Sequence, residues 1–145
     1  MSSRRAGGKM EQLTFKTVLT IDDDPSIRQL IRSALAREQM IQVIEAGDGV
    51  AGLEAVKKHH PDLVLLDVVM PRQDGIRTLK ALRSDPEIAF TPVILLTAVK
   101  ERDKLQPLLR QRYTDFMPKP FLLDLLRSKV KNMLFPDESA KLATH

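Results

Sequence analysis

The chain has 145 residues, no cysteine, and 23 lysines and arginines against 19 aspartates and glutamates. That length suits one domain with a core that needs no cross-links, and the missing thiols exclude a disulfide scaffold, thiolate-bound zinc and cysteine catalysis. Apolar runs of about five residues are too short to span a bilayer and the amino terminus lacks the apolar stretch of a secretory signal, so a cytoplasmic location away from membranes is expected.

Residues 1–14 are small, polar and charged, and read as a flexible extension. Residues 16–21 (KTVLTI) read as a first strand. From Pro25 to about residue 39, Ile27, Leu30, Ile31, Ala34 and Leu35 recur at helical spacing, and Asp24 before Pro25 is an N-cap followed by an N1 proline. Residues 41–44 form a short second strand. Asp48-Gly49 turns into a helix with Val50, Leu53 and Val56 on one face, stopped at His60-Pro61. His59 and His60 read as ordinary polar residues of a helix end, not as metal ligands or a phosphohistidine site.

Residues 62–67 (DLVLLD) give the third strand, whose continuous apolar run predicts burial on both faces of a parallel sheet. Asp74-Gly75 opens a helix bearing Ile76, Leu79 and Leu82, closed by Asp85-Pro86. Residues 92–96 (PVILL) are the fourth strand. Residues 100–112 have a helical pattern interrupted by Pro107, so this helix is expected to start late, kink or be mobile. Residues 114–117 make a short fifth strand, and residues 121–134 a final helix with Leu122, Leu125, Leu126, Val130 and Met133. Residues 135–145 read as a tail.

Strand then helix, five times over, predicts an α/β fold with right-handed crossovers. The expected architecture is a doubly wound, flavodoxin-like sheet of five parallel strands with five helices, over residues 15–134. Function in such sheets gathers outside the carboxyl ends of the strands. Asp22, Asp23 and Asp24 follow the first strand, Asp67 the third, Thr97 the fourth and Lys119 the fifth. Clustered carboxylates repel one another and attract a cation, and oxygen-only ligands suit a hard ion such as Mg²⁺. With a lysine and a hydroxyl beside them they make a phosphoryl site, in which Asp67 can be the nucleophile while Mg²⁺, Lys119 and Thr97 hold the phosphoryl oxygens.

The motifs IDDDPSIR, PDLVLLDVVMPRQDG, TPVILLTA and DFMPKPF, in this order and spacing, resemble the receiver domain of bacterial response regulators. The resemblance covers residues 16–134 and is nearest the single-domain type, as in chemotaxis. It implies a two-component phosphorelay switch, in which Asp67 accepts a phosphoryl group from a sensor histidine kinase or a histidine phosphotransfer protein. It further implies Asp22, Asp23, Asp67 and the Val69 carbonyl as Mg²⁺ ligands, Thr97 and Phe116 as switch residues, Lys119 as the phosphate-binding lysine, and a cis Lys119-Pro120 peptide. No turnover of an external substrate is expected beyond the domain's own phosphorylation and dephosphorylation.

Two departures from the family pattern stand out. Val69 and Val99, two residues after Asp67 and Thr97, flank the family's route for the hydrolytic water but offer it no hydrogen bond, so slow autodephosphorylation is expected. The stretch before strand five, residues 111–115, lacks the usual small residues. The basic excess is also local, since residues 100–134 carry nine basic and four acidic side chains. In the family, the helix expected over 100–112, strand five and the final helix form the output and dimerisation face. A basic face there suits an acidic surface on a downstream protein, while the resemblance also implies a homodimer through this face; Lys100, Arg102, Lys104, Lys129 and Lys131 could equally serve solubility alone. Nucleic-acid binding is disfavoured by 4% aromatic residues and the lack of a helix-turn-helix pattern. A haloacid-dehalogenase-type phosphatase built on Asp22 and Asp24 would leave Asp67 unexplained. The remaining alternative is an interaction module of the same fold that works without phosphate.

Overall fold

The computed structural model describes residues 15–68, 75–98, 107 and 113–136. Five strands, β1 (Lys16–Ile21), β2 (Ile41–Ala46), β3 (Leu63–Asp67), β4 (Val93–Ala98) and β5 (Thr114–Lys119), form one parallel sheet in the order β2-β1-β3-β4-β5. Four helices accompany them among the described residues: α1 (Pro25–Leu35), α2 (Gly49–His59), α3 (Gly75–Ser84) and α4 (Leu123–Leu134). The fifth helix, expected over 100–112, lies outside the described residues apart from Pro107, as do Val69, Asp74 and Val99.

The sheet is covered on both faces, as its apolar strands require. Ile31 and Leu35 of α1 and Leu126, Val130 and Leu134 of α4 pack with Val18, Leu65, Ile94 and Leu96. Val56 of α2 and Leu79 and Leu82 of α3 pack with Leu19, Ile21, Leu66 and Leu95 on the other face. Leu63–Asp67, the central strand, is buried throughout. Each fully buried leucine or isoleucine contributes about 1.5–3 kcal/mol relative to exposure, so this double layer is the main source of stability.

Local signals agree with the elements. The Asp24 side chain caps α1 through the Ser26 N–H, and Asp48 caps α2 through the Ala51 N–H. Alpha2 ends with His60 in a left-handed conformation (φ 47°), its N–H donating to the Val56 carbonyl. Several boundaries differ from expectation. Helix α1 stops at Leu35, and α4 begins at Leu123 rather than 121. Strands β4 and β5 run on through Thr97-Ala98 and Pro118-Lys119, paired Thr97 with Pro118 and Ala98 with Lys119. Pro118 is tolerated because β5 is an edge strand of this sheet. The strand order reverses between β1 and β3, which opens a crevice at their carboxyl ends.

Candidate functional site

The crevice is lined by residues from three strands. Asp22 follows β1 and is held at its backbone by an N–H donated to the Ala46 carbonyl, 3.1 Å away. Its Oδ1 accepts the Asp24 N–H at 2.9 Å. Its Oδ2 is buried and accepts no hydrogen bond among the described residues. Asp67 ends β3, and its Oδ1 accepts a 2.6 Å hydrogen bond from Lys119 Nζ, which lies 3.9 Å from Asp22 Oδ2. Oxygens of Asp22, Asp23 and Asp67 all lie within 4.8 Å of one another.

Burial pushes the Asp22 carboxyl above its usual range, and the charges of Asp67 and Asp23 push it further, against the Asp24 hydrogen bond and the Lys119 charge. Three carboxylates converge, two of them within 4 Å of Lys119, and among the described residues one of the buried oxygens lacks a hydrogen-bond donor. An all-oxygen donor set of this kind fits a hard divalent cation. No histidine among the described residues belongs to the cluster: His60 is exposed and lies 3.8 Å from Glu87, and His59 is exposed at the end of α2.

Thr97, second from the end of β4, is buried, and its Oγ1 donates to the Ala98 carbonyl at 3.1 Å. Leu95 pairs with Phe116 and Thr97 with Pro118, so Phe116 shares a sheet face with Thr97, one step back along the ladder. Phe116 is half-buried against the core on the α2–α3 side. The Lys119-Pro120 peptide is cis. Beside Lys119 runs a groove of about 380 Å³, lined by apolar Ile27, Leu30, Pro120, Phe121 and Leu123. Of the basic residues on the expected output face, Lys129 pairs with Asp115 at 2.8 Å and Lys131 with Glu38 at 3.3 Å, while Lys100, Arg102 and Lys104 lie outside the described residues.

Two supports were not read from the sequence. A Cβ on Gly75 would stand 2.3 Å from the Asp67 carbonyl oxygen, and the Gly75 N–H donates to the Val68 carbonyl at 2.7 Å, so the start of α3 presses on the backbone of Asp67. The Asp74-Gly75 pair signals only a turn. The other is Arg28, whose Nη1 donates to the Asp22 carbonyl at 2.6 Å. Arg28 and Arg32 both donate to Glu45, holding its carboxyl below the usual range, Arg32 contributing most.

A doubly wound parallel sheet with an acidic cluster and a lysine at its switch point, and a buried threonine near the end of the adjoining strand, has the arrangement of a receiver module. The family model for the response regulator receiver domain matches residues 18–131, and the chain belongs to that family. Response regulator MprA of Mycobacterium leprae is 35% identical over 127 residues, covering 86% of this chain and 54% of that protein. The probable C4-dicarboxylate response regulator DctR of Bacillus subtilis is 33% identical over 115 residues, covering 79% and 50% respectively. The chain thus spans about half the length of these curated relatives.

Among solved structures, the receiver domain of the Francisella response regulator 1452 superposes with a TM-score of 0.73 at 32% identity, covering 82% of this chain and 96% of that one. The chemotaxis response regulator CheY4 of Vibrio cholerae gives 0.72 at 29%, covering 83% and 100%. Receiver domains of this kind work in two-component systems with histidine kinases and downstream effectors. No helix among the described residues is long and apolar enough to cross a membrane.

Proposed function

We propose that this domain is a phosphorylation switch in which Asp67 takes a phosphoryl group from a phosphohistidine of a partner kinase or phosphotransfer protein. The observation that carries the reading is the 2.6 Å contact of Lys119 Nζ with Asp67 inside the Asp22, Asp23 and Asp67 cluster. An Asp67 oxygen attacks the phosphorus in line; the new P–O bond forms as the P–N bond breaks, and the imidazole leaves, taking up a proton. Asp22, Asp23 and Asp67 would hold Mg²⁺, which supplies positive charge to the phosphoryl oxygens. Lys119, already on Asp67, neutralises an equatorial oxygen as charge builds. The groove lined by Ile27, Leu30 and Phe121 opens beside Lys119, where the donor protein would cover the site and exclude water.

Once the acyl phosphate is formed, Thr97 exchanges the Ala98 carbonyl for a phosphoryl oxygen. Phe116, on the same sheet face, then repacks and biases a pre-existing alternative arrangement of β5 and its flanking helices. That face serves a downstream protein or a second copy. Lys129 and Lys131 already have acidic partners within the chain, which weakens the case for an acidic target. The chemistry stops at the domain's own Asp67, with no external substrate turned over.

Intact mass after incubation with Mg²⁺ and acetyl phosphate tests the reading. Wild type should gain ~80 Da and Asp67→Asn nothing. Removal of the donor should be followed by slow loss, since Val69 and Val99 offer the hydrolytic water no hydrogen bond. No gain with Mg²⁺ bound and a phosphorylated kinase present would favour a module that works without phosphate.

A further inference from the structure

Helix α1 sends one side chain back to the loop that carries the acidic pair. Arg28 Nη1 donates to the Asp22 carbonyl at 2.6 Å while Arg28 Nε donates to Glu45 Oε1 at 3.0 Å. Arg32, one turn further along α1, takes the other Glu45 oxygen at 2.6 Å. The Arg28 side chain is only 19% exposed, so its fork is held between β2 and the loop. Since the Asp22 N–H is bound to Ala46, both backbone polar groups of Asp22 are engaged, one by the neighbouring strand and one by Arg28. The plane of the 22–23 peptide places the Asp23 N and Cα, and together with the φ of Asp23 sets the direction in which its side chain leaves the backbone. Asp23 is the exposed member of the cluster and has no burial of its own to orient it.

We propose that Arg28 is a positioning residue for the acidic pair: through the Asp22 carbonyl it fixes the 22–23 peptide so that Asp22 and Asp23 stay converged with Asp67 on the cation. The inference rests on the reading of the cluster as a divalent-cation site and adds the support that holds it. Its sign separates it from a charge effect. A guanidinium near a cation site repels the cation, so a purely electrostatic Arg28 would weaken binding, and its removal would tighten it. A positioning Arg28 does the reverse, because removal frees the peptide and spreads the carboxylates.

Calorimetric titration of the unphosphorylated full chain with Mg²⁺ reads this directly. Arg28→Ala should weaken Mg²⁺ affinity on the order of tenfold, the size expected when a group orienting metal ligands is lost. Arg28→Lys keeps the charge but cannot bridge Glu45 and the Asp22 carbonyl together, so it should recover only part of the affinity. Glu45→Gln, which leaves both arginines and slackens their brace, should weaken Mg²⁺ by a smaller factor and serves if Arg28→Ala fails to fold. Unchanged or tighter binding in a folded Arg28→Ala or Glu45→Gln chain overturns the proposal and leaves the cation site standing. A wild-type chain that binds no Mg²⁺ overturns both.

Discussion

Asp22 occupies an unfavourable position for a carboxylate. It is about 1% exposed, faces two other carboxylates, and among the described residues keeps one oxygen without a donor. Its carboxyl is accordingly shifted up, chiefly by burial. For an acid raised in the folded state, stability is fully present below the unfolded value and falls as pH rises through the folded value. Asp22→Asn removes that loss while its amide oxygen can still accept the Asp24 N–H. The variant's melting temperature in EDTA at pH 7 should exceed wild type by a few degrees, and the two should converge in acid. Added Mg²⁺ should then raise wild type and leave Asp22→Asn unchanged, because only the wild type gains stability from a ligand bound to the folded form. An Asn variant less stable than wild type in EDTA at pH 7 would contradict this account.

Among the elements, the join between β3 and α3 is the most tightly constrained. A methyl group at Gly75 would meet the Asp67 carbonyl oxygen at 2.3 Å and Val68 Cα at 2.6 Å, both backbone atoms that cannot rotate away. Gly75→Ala should therefore cost about 1–3 kcal/mol in a denaturant titration and, by moving Asp67, slow its modification beyond what the stability loss explains. A loss well under 1 kcal/mol would show that α3 can shift freely. Nothing in the Asp74-Gly75 dipeptide announces this approach, which exists only once α3 is laid against β3. The strands were legible because β3 and β4, buried on both faces, leave unbroken apolar sequence, and the residues just beyond them could be read as one sheet edge. Their ends were not: Thr97-Ala98 and Pro118-Lys119 lose the apolar signature while the ladder continues. Arg28 closes the motif IDDDPSIR, but its contacts are not legible there, since its partners Asp22 and Glu45 are brought to it by different strands.

At the scale of the whole molecule, the sheet has a reactive carboxyl edge and a tied amino edge. Arg83, at the end of α3, donates from Nη1 to the carbonyls of Ala89 and Thr91 at 3.0 and 2.6 Å, and from Nη2 to the Tyr113 carbonyl and Thr114 Oγ1 at 2.7 and 2.8 Å. Burial lowers its pKa, yet a guanidinium remains charged at neutral pH, and neutral oxygens stand in for its water. Tyr113 lies where the family usually has a small residue, and it takes a left-handed conformation (φ 65°) that costs about 1–2 kcal/mol for an L side chain. Arg83, the Val93 N–H on the same Tyr113 carbonyl, and an edge-on contact with Phe90 at 5.7 Å hold it there. The start of β5 is thus pinned while its other end carries Lys119, so the rearrangement proposed for Thr97 and Phe116 would move the carboxyl end without releasing the strand. Arg83→Met should destabilise by about 2–3 kcal/mol, because the abandoned oxygens are left short of donors, and Arg83→Lys should recover only part, since one ammonium cannot reach both segments. Native-state hydrogen exchange should rise most at Thr114 to Phe116 and least in β1 and β3. A uniform rise across the sheet would mean that Arg83 supports the fold generally and does not anchor β5 in particular.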